Sequence, residues 1–263
     1  MKSHQSPLDD QKPKGSGKVY QILLDIVRRR GAGFLVLLDP DRLQVDRLTG
    51  LAERCANSEV DALLVGSSLM LSARFDETIR EIKEHVPLPV IIFPGNLAQI
   101  SAHADAILYL SLISGRSPQH LIEQQVRSAP YIREIGIEPI ATGYMLIDSG
   151  RLTSVQYMSN TFPIPHDKPD IAQAHALAAE YLGMKLIFMD AGSGAQLTVS
   201  PEMIRAVDEY VSLPLVVGGG IREPQTAQEK VAAGADFVVI GNAFEEEAAS
   251  GRLREFAAAI HGR

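Results

Sequence analysis

The sequence contains no tryptophan and a single cysteine, Cys55. One cysteine excludes a disulfide within the chain and fits a reducing compartment, so a cytoplasmic setting is expected. Basic residues are also scarce, 25 Lys and Arg against 32 Asp and Glu, for a formal net charge of −7. Nucleic-acid binding calls for a cationic face. The one basic run, Arg28-Arg29-Arg30, falls late in an apparent helix (Val19–Arg30), where cations meet the negative end of the helix dipole. No nucleic-acid partner is expected. No apolar run approaches the roughly 20 residues that cross a bilayer, and no signal-peptide core opens the chain. None of the seven histidines has zinc-ligand spacing.

What is present reads as an ordinary globular chain of 263 residues, 46% hydrophobic and 22% charged. Residues 1–17 are polar and rich in Pro and Gly, and are expected to be a disordered tail. Residues 18–263 are expected to form a single domain. Short apolar runs recur at Gly33–Leu38, Ala62–Val65, Pro89–Phe93, Ala106–Leu110, Ile137–Ala141, Lys185–Met189, Pro214–Val217 and Phe237–Ile240. They are continuous rather than alternating, as strands buried on both faces should be. Amphipathic stretches separate them, among them Asp46–Asn57, Phe75–Glu84, Gln119–Glu134, Ile171–Leu182, Pro201–Tyr210, Pro224–Ala233 and Glu245–Ile260. Strands alternating with helices predict an α/β fold, a parallel (β/α)8 TIM barrel; an open doubly wound sheet is the alternative. One unit departs from the rule. Only Asn96–Asp105 separates the third and fourth runs, too little for a normal crossover helix. It is either a shortened loop or a missing third helix that leaves an apolar groove.

The chemistry-bearing residues sit where strands end, which in such barrels is the active face. Run six ends in Asp190-Ala191-Gly192-Ser193-Gly194, run seven in Gly218-Gly219-Gly220-Ile221-Arg222, and run eight in Gly241-Asn242-Ala243. Glycine lets backbone N–H groups approach an anion closely, and three such turns on consecutive strands predict a phosphate cradle. At the other end of the chain, run one closes in Asp39-Pro40-Asp41 and run two in Gly66-Ser67-Ser68. Carboxylate and hydroxyl oxygens suit Mg²⁺ completed by substrate phosphates; a helix-capping turn is the alternative for Asp39-Pro40-Asp41.

Together these motifs resemble the geranylgeranylglyceryl phosphate synthase family, over about Gly33–Ala248. They are the strand-six run Phe188–Gly194, Val217–Arg222, Gly241-Asn242, Leu37–Asp41, Val65–Ser68 and the Gly143–Asp148 segment. The resemblance implies a Mg²⁺-dependent prenyltransferase. It joins the primary hydroxyl of sn-glycerol 1-phosphate to C1 of a long-chain prenyl diphosphate, with geranylgeranyl diphosphate the expected donor. By carry-over, Asp39 and Ser68 hold Mg²⁺. Phe188, Met189, Asp190, Ala191, Gly192, Ser193, Gly194, Gly219, Gly220, Gly241 and Asn242 bind glycerol phosphate. Asp190 and Tyr144 are the candidate catalytic residues, with core packing the alternative for Tyr144. The resemblance also implies a homo-oligomer, dimer or hexamer, contact with membranes at most peripheral and through the lipid product, and room for the prenyl chain beside Asn96–Asp105.

Two positions depart from the family pattern. Its strand-six Glu is Asp190 here, shorter by one methylene, which changes its reach by roughly an ångström or more. Its Asn-Ser-Arg after strand four is Ser114-Gly115-Arg116. Two other readings remain open: a sugar-phosphate isomerase or lyase on the same cradle, and an inactive phosphate-binding homologue.

Overall fold

The computed structural model describes residues 17–244 and 250–262. Of the expected tail, 1–16 lies outside the described residues, as does 245–249, part of the last expected helix. The strands are β1 (Gly33–Leu38), β2 (Ala62–Val65), β3 (Val90–Ile92), β4 (Ala106–Leu112), β5 (Glu138–Leu146), β6 (Leu186–Asp190), β7 (Leu215–Gly218) and β8 (Phe237–Ile240). They pair in parallel and in sequence order, and β8 returns onto β1 to close the barrel. The helices are α1 (Lys18–Arg30), α2 (Val45–Ala56), α3 (Phe75–His85), α4 (Gln124–Ile135), α5 (Ser154–Ser159), α6 (Pro169–Tyr181), α7 (Pro201–Asp208), α8 (Pro224–Ala232) and α9 (Ser250–His261).

Alternate strand residues feed two buried layers, as the two-residue period of a strand requires. Leu35, Leu64, Ile91, Leu108, Tyr144 and Phe188 fill the barrel, whereas Phe34, Val36, Leu63, Ile92, Met145 and Met189 pack outward against the helices. Helix α1 closes the bottom, adding Val19, Leu23 and Ile26 to the inner cluster. Buried Glu138, at the start of β5, accepts the Val19 and Tyr20 N–H groups at 2.7 and 3.1 Å and so anchors that helix's positive end. Cys55 is buried on α2, and burial pushes its thiol up to about 12, which leaves negligible thiolate at neutral pH.

Three departures from the expected elements bear on the site. Strand β5 runs on to Leu146, well past Ala141, and places Gly143 and Tyr144 inside the sheet. A Cβ on Gly143 would lie 2.9 Å from Ala179 Cβ and 3.0 Å from Met184 Sδ, so this glycine admits α6 close to the strand. The stretch expected as one helix from Gln119 opens with a π-helical turn (Gln119–Glu123) before α4. The short helix α5 was not expected at all; six residues show too little periodicity to announce themselves. Between β3 and β4, residues 93–105 form loop and turns with no helix, leaving the outer layer open there.

Candidate active site

The β6, β7 and β8 loops meet around a small cavity of about 100 Å³ lined by Ser193, Gly194, Gly219, Gly220, Arg222 and Gly241, among others. Gly192, Gly194, Gly219 and Gly220 all take left-handed backbone, φ between 73° and 88°, a conformation found in anion nests; the Gly192 N–H is given to Asp190. Space forces the choice at Gly219, where a Cβ would lie 2.6 Å from both Asp190 Oδ1 and the Gly192 nitrogen. Gly219→Ala should therefore cost about 1–3 kcal/mol in backbone strain alone, with the overlap added, and weaken glycerol phosphate binding. Thermal melts and phosphate titration check this; a variant of native stability and affinity would contradict it. Arg222 brings a cation to the cradle, its Nη2 donating to the Ala195 carbonyl at 3.3 Å.

Asp190 stands at the top of β6 with 8% of its surface exposed. Its Oδ2 accepts the Tyr144 hydroxyl at 2.6 Å, and its Oδ1 accepts the Gly192 N–H at 2.8 Å. Burial raises the Asp190 carboxyl, against these two hydrogen bonds, which lower it. The buried Tyr144 hydroxyl is raised well above its ordinary value, first by burial and then by the Asp190 charge beside it, so it stays a neutral donor. A carboxylate offers about four acceptor positions; two are taken, and the others can receive a substrate hydroxyl.

Asp39, past the end of β1, accepts the Asp41 N–H at 3.0 Å and faces Arg42 Nε at 3.4 Å. Its Oδ2 lies 3.4 Å from the Ser67 hydroxyl. Asp41 instead holds the next loop, accepting the Leu71 and Ser72 N–H groups at 2.8 and 2.9 Å. The run does not cap a helix, since Gln44 and Arg74 occupy the N-caps of α2 and α3: Asp41 organises the next loop, and Asp39 faces the mouth. The donor set of one carboxylate and neighbouring hydroxyls is hard and oxygen-only, and it fits Mg²⁺ sharing its shell with diphosphate and water. Among the described residues no three His, Cys, Asp or Glu gather as a self-sufficient metal cage.

Burial raises the Asp39 carboxyl above the usual range, outweighing the lowering by the Asp41 amide and Arg42. Cation binding needs the ionised form. Metal affinity should accordingly hold at neutral pH and fall as pH drops, beginning at a higher pH than for an ordinary carboxylate. A Mg²⁺ titration across pH 4–8 that showed no weakening toward acid would overturn Asp39 as the ligand.

A second cavity, about 400 Å³, opens from the same mouth. Asp39, Ser67, Ser68 and Asp190 form its polar end, and Ile107, Tyr109, Gln125 and Ser128 lie along its far reach. Leu97 and Ile100 from the helix-free connection line it, as do Val155 and Met158 of α5. Asp190 is the one carboxylate that lines both cavities among the described residues.

Most of the expected site residues therefore gather at one mouth. Phe188 joins through its ring, stacked on Phe93 with centroids 4.9 Å apart. Ala191 is buried, and its N–H goes to the Gly218 carbonyl at 3.2 Å. The backbone of Asn242 opens the 3-10 turn Asn242–Phe244 beyond β8. Met189 and Ala191 are exceptions: both side chains pack in the outer layer and line neither cavity. Sequence reasoning passed over Ser67, whose hydroxyl is the one that faces Asp39, and Arg42, which bridges Asp39 to the Ser193 hydroxyl at 3.3 Å.

Fold and mouth define a class, the (β/α)8 barrels with a glycine-ringed cavity over the last strands, extended here by a second, larger cavity. Within it, the chain belongs to the PcrB family, whose model matches residues 24–260. It is 46% identical over 244 residues to geranylgeranylglyceryl phosphate synthase of Chitinophaga pinensis, covering 93% of this chain and 96% of that protein. The protein of that name from Thermococcus gammatolerans is 40% identical over 240 residues, 91% of this chain and 94% of its own. The crystal structure of (S)-3-O-geranylgeranylglyceryl phosphate synthase from Thermoplasma acidophilum, in complex with its substrate sn-glycerol-1-phosphate, superposes with a TM-score of 0.87. It is 33% identical, with 92% of this chain and 98% of that chain covered. Tryptophan synthase of Mycobacterium tuberculosis, at 12% identity and a TM-score of 0.60, shares the fold alone.

Proposed function

We propose that this protein is a prenyltransferase that joins sn-glycerol 1-phosphate to geranylgeranyl diphosphate, giving a prenylglyceryl phosphate ether and diphosphate. The observation that carries the reading is the meeting of two cavities at Asp190, one of about 100 Å³ ringed with glycine, the other of about 400 Å³ with Leu97, Ile100, Ile107, Leu108, Val155 and Met158 along its wall. Family membership favours it over the isomerase and lyase readings, whose barrels match only as folds.

The glycine turns seat the phosphate and so place the glycerol hydroxyl beside Asp190. Asp190 accepts that hydroxyl's hydrogen bond and takes its proton as the oxygen bonds to C1. The C1–diphosphate bond breaks with its electron pair leaving on diphosphate, and the groove holds the chain and keeps water from the allylic centre. Asp39, Ser67 and Ser68 would hold Mg²⁺, which when bound supplies charge neutralisation for diphosphate.

A cytoplasmic homo-oligomer belongs to the same proposal. It is supported by the lone buried cysteine and by apolar surface left open on one copy, as at Phe162, 92% exposed, and Tyr157, 73% exposed. No described helix is long and apolar enough to cross a membrane. Incubation with sn-glycerol 1-phosphate and labelled geranylgeranyl diphosphate, with and without EDTA, tests the reaction. Labelled ether formed only without EDTA is expected; binding of glycerol phosphate with no ether under any condition would instead mark an inactive homologue.

A further inference from the structure

Gln99 lies in the helix-free connection between β3 and β4, and none of its surface is exposed. A buried primary amide is tolerated only if its polar atoms find partners. Gln99 finds both in one residue 32 positions earlier in the chain: Oε1 accepts the Ser67 N–H at 3.0 Å, and Nε2 donates to the Ser67 carbonyl at 2.7 Å. It serves the Ser67 backbone much as a neighbouring strand would, at the point where the chain has left β2 and ladder pairing has stopped.

The surroundings are shaped to admit this contact. A Cβ on Gly66 would lie 1.8 Å from the Phe93 carbonyl oxygen and 3.1 Å from Gln99 Oε1. A Cβ on Gly95 would lie 2.2 Å from the Ser67 carbonyl oxygen and 3.1 Å from Gln99 Nε2. Two glycines thus leave the room in which the amide reaches Ser67, whose hydroxyl is the one facing Asp39, with Ser68 next on the cavity wall. Gln99 itself lines neither cavity.

We propose that Gln99 is a positioning residue for the diphosphate end of the site: by clamping both backbone groups of Ser67 it fixes that residue's hydroxyl toward Asp39 and the place of Ser68 on the cavity wall. The proposal rests on the prenyl-transfer reading. It also gives the helix-free connection a second task besides opening the groove, since the chain that replaces the helix returns the clamp to the mouth.

Partners that orient a ligand shell typically change metal affinity or activity by about 10–100-fold when removed. Gln99→Met keeps length and removes both hydrogen bonds, and Gln99→Glu keeps the acceptor for the Ser67 N–H but can donate to the Ser67 carbonyl only as the neutral acid. Calorimetric titration of the full chain with Mg²⁺ and inorganic diphosphate should show affinity weakened at least tenfold in Gln99→Met and less in Gln99→Glu. Affinity for sn-glycerol 1-phosphate should stay within twofold, which also reports that each variant is folded. If Gln99→Met does not fold, Gln99→Glu carries the same comparison. Diphosphate affinity unchanged, or both ligands weakened equally, would overturn the positioning role. Wild-type protein that bound no Mg²⁺–diphosphate would overturn the prenyl-transfer reading itself, so the two failures are distinct.

Discussion

Asp39→Ala should lower prenyl transfer on the order of 10³-fold, because it removes the carboxylate proposed to hold Mg²⁺ at the diphosphate end and with it several kcal/mol of charge stabilisation. The affinity for sn-glycerol 1-phosphate should change little, since the cradle is built from the β6, β7 and β8 loops. The loops around Asp39 have independent support: Asp41, not Asp39, holds the Leu71 and Ser72 amides. Asp39→Asn sharpens the test. Its amide oxygen can still accept the Asp41 N–H, so the turn survives while the charge is lost. If charge is what matters, Asn should be nearly as inactive as Ala and more stable. Steady-state kinetics with varied Mg²⁺, beside calorimetric binding of glycerol phosphate, separates the outcomes. Equal loss of turnover and of glycerol phosphate affinity would remove Asp39 from the cation site.

The barrel was legible because its signals are local. β1, β2 and β8 begin and end where the apolar runs do, each bounded by a residue that cannot extend a buried strand comfortably. β5 was ended too early, at Ala141; it runs on through Gly143, whose small size serves the packing of α6, a contact that is remote in sequence. The glycine turns were legible for a similar reason, since three of them repeat one chemical device on neighbouring strands. Met189 could have been set aside from the pattern alone: strand side chains alternate, and Phe188 and Asp190 face the mouth, so the residue between them must face away. Carrying over the whole run obscured that. Ser67 and Ser68 could not be separated, because past the end of β2 no ladder fixes which hydroxyl faces Asp39. Gln99 and the Tyr144–Asp190 pair were beyond reach for a deeper reason. Their meaning lies in contacts across 32 and 46 positions of chain, which exist only once the barrel is closed.

Asp190 carries the largest mechanistic weight, and its two hydrogen bonds say what each substitution should do. In Asp190→Asn the amide oxygen can keep the Gly192 N–H, so the β6 turn and the fold should survive. The charge and one acceptor are gone, and the Tyr144 hydroxyl loses its carboxylate partner. Loss of a positioned base typically costs 10²–10⁴-fold, so kcat should fall by about that much with KM nearly unchanged, as expected for an interaction made in the transition state. Asp190→Glu should behave in the opposite way. Its carboxylate overshoots the Gly192 amide and Tyr144, forfeiting hydrogen bonds to a charged group that contribute roughly 1.5–3 kcal/mol each, so the melting temperature should drop. The added methylene points into the space shared by the two cavities, where the glycerol hydroxyl is expected, so turnover should be retained or raised. Asp190→Ala should lose both stability and rate. A purely structural Asp190 predicts another pattern, with Asn fully active and Glu merely unstable. Kinetics and melting curves on the same three variants decide the matter, and an Asn variant with wild-type kcat would leave Asp190 as a turn cap and nothing more.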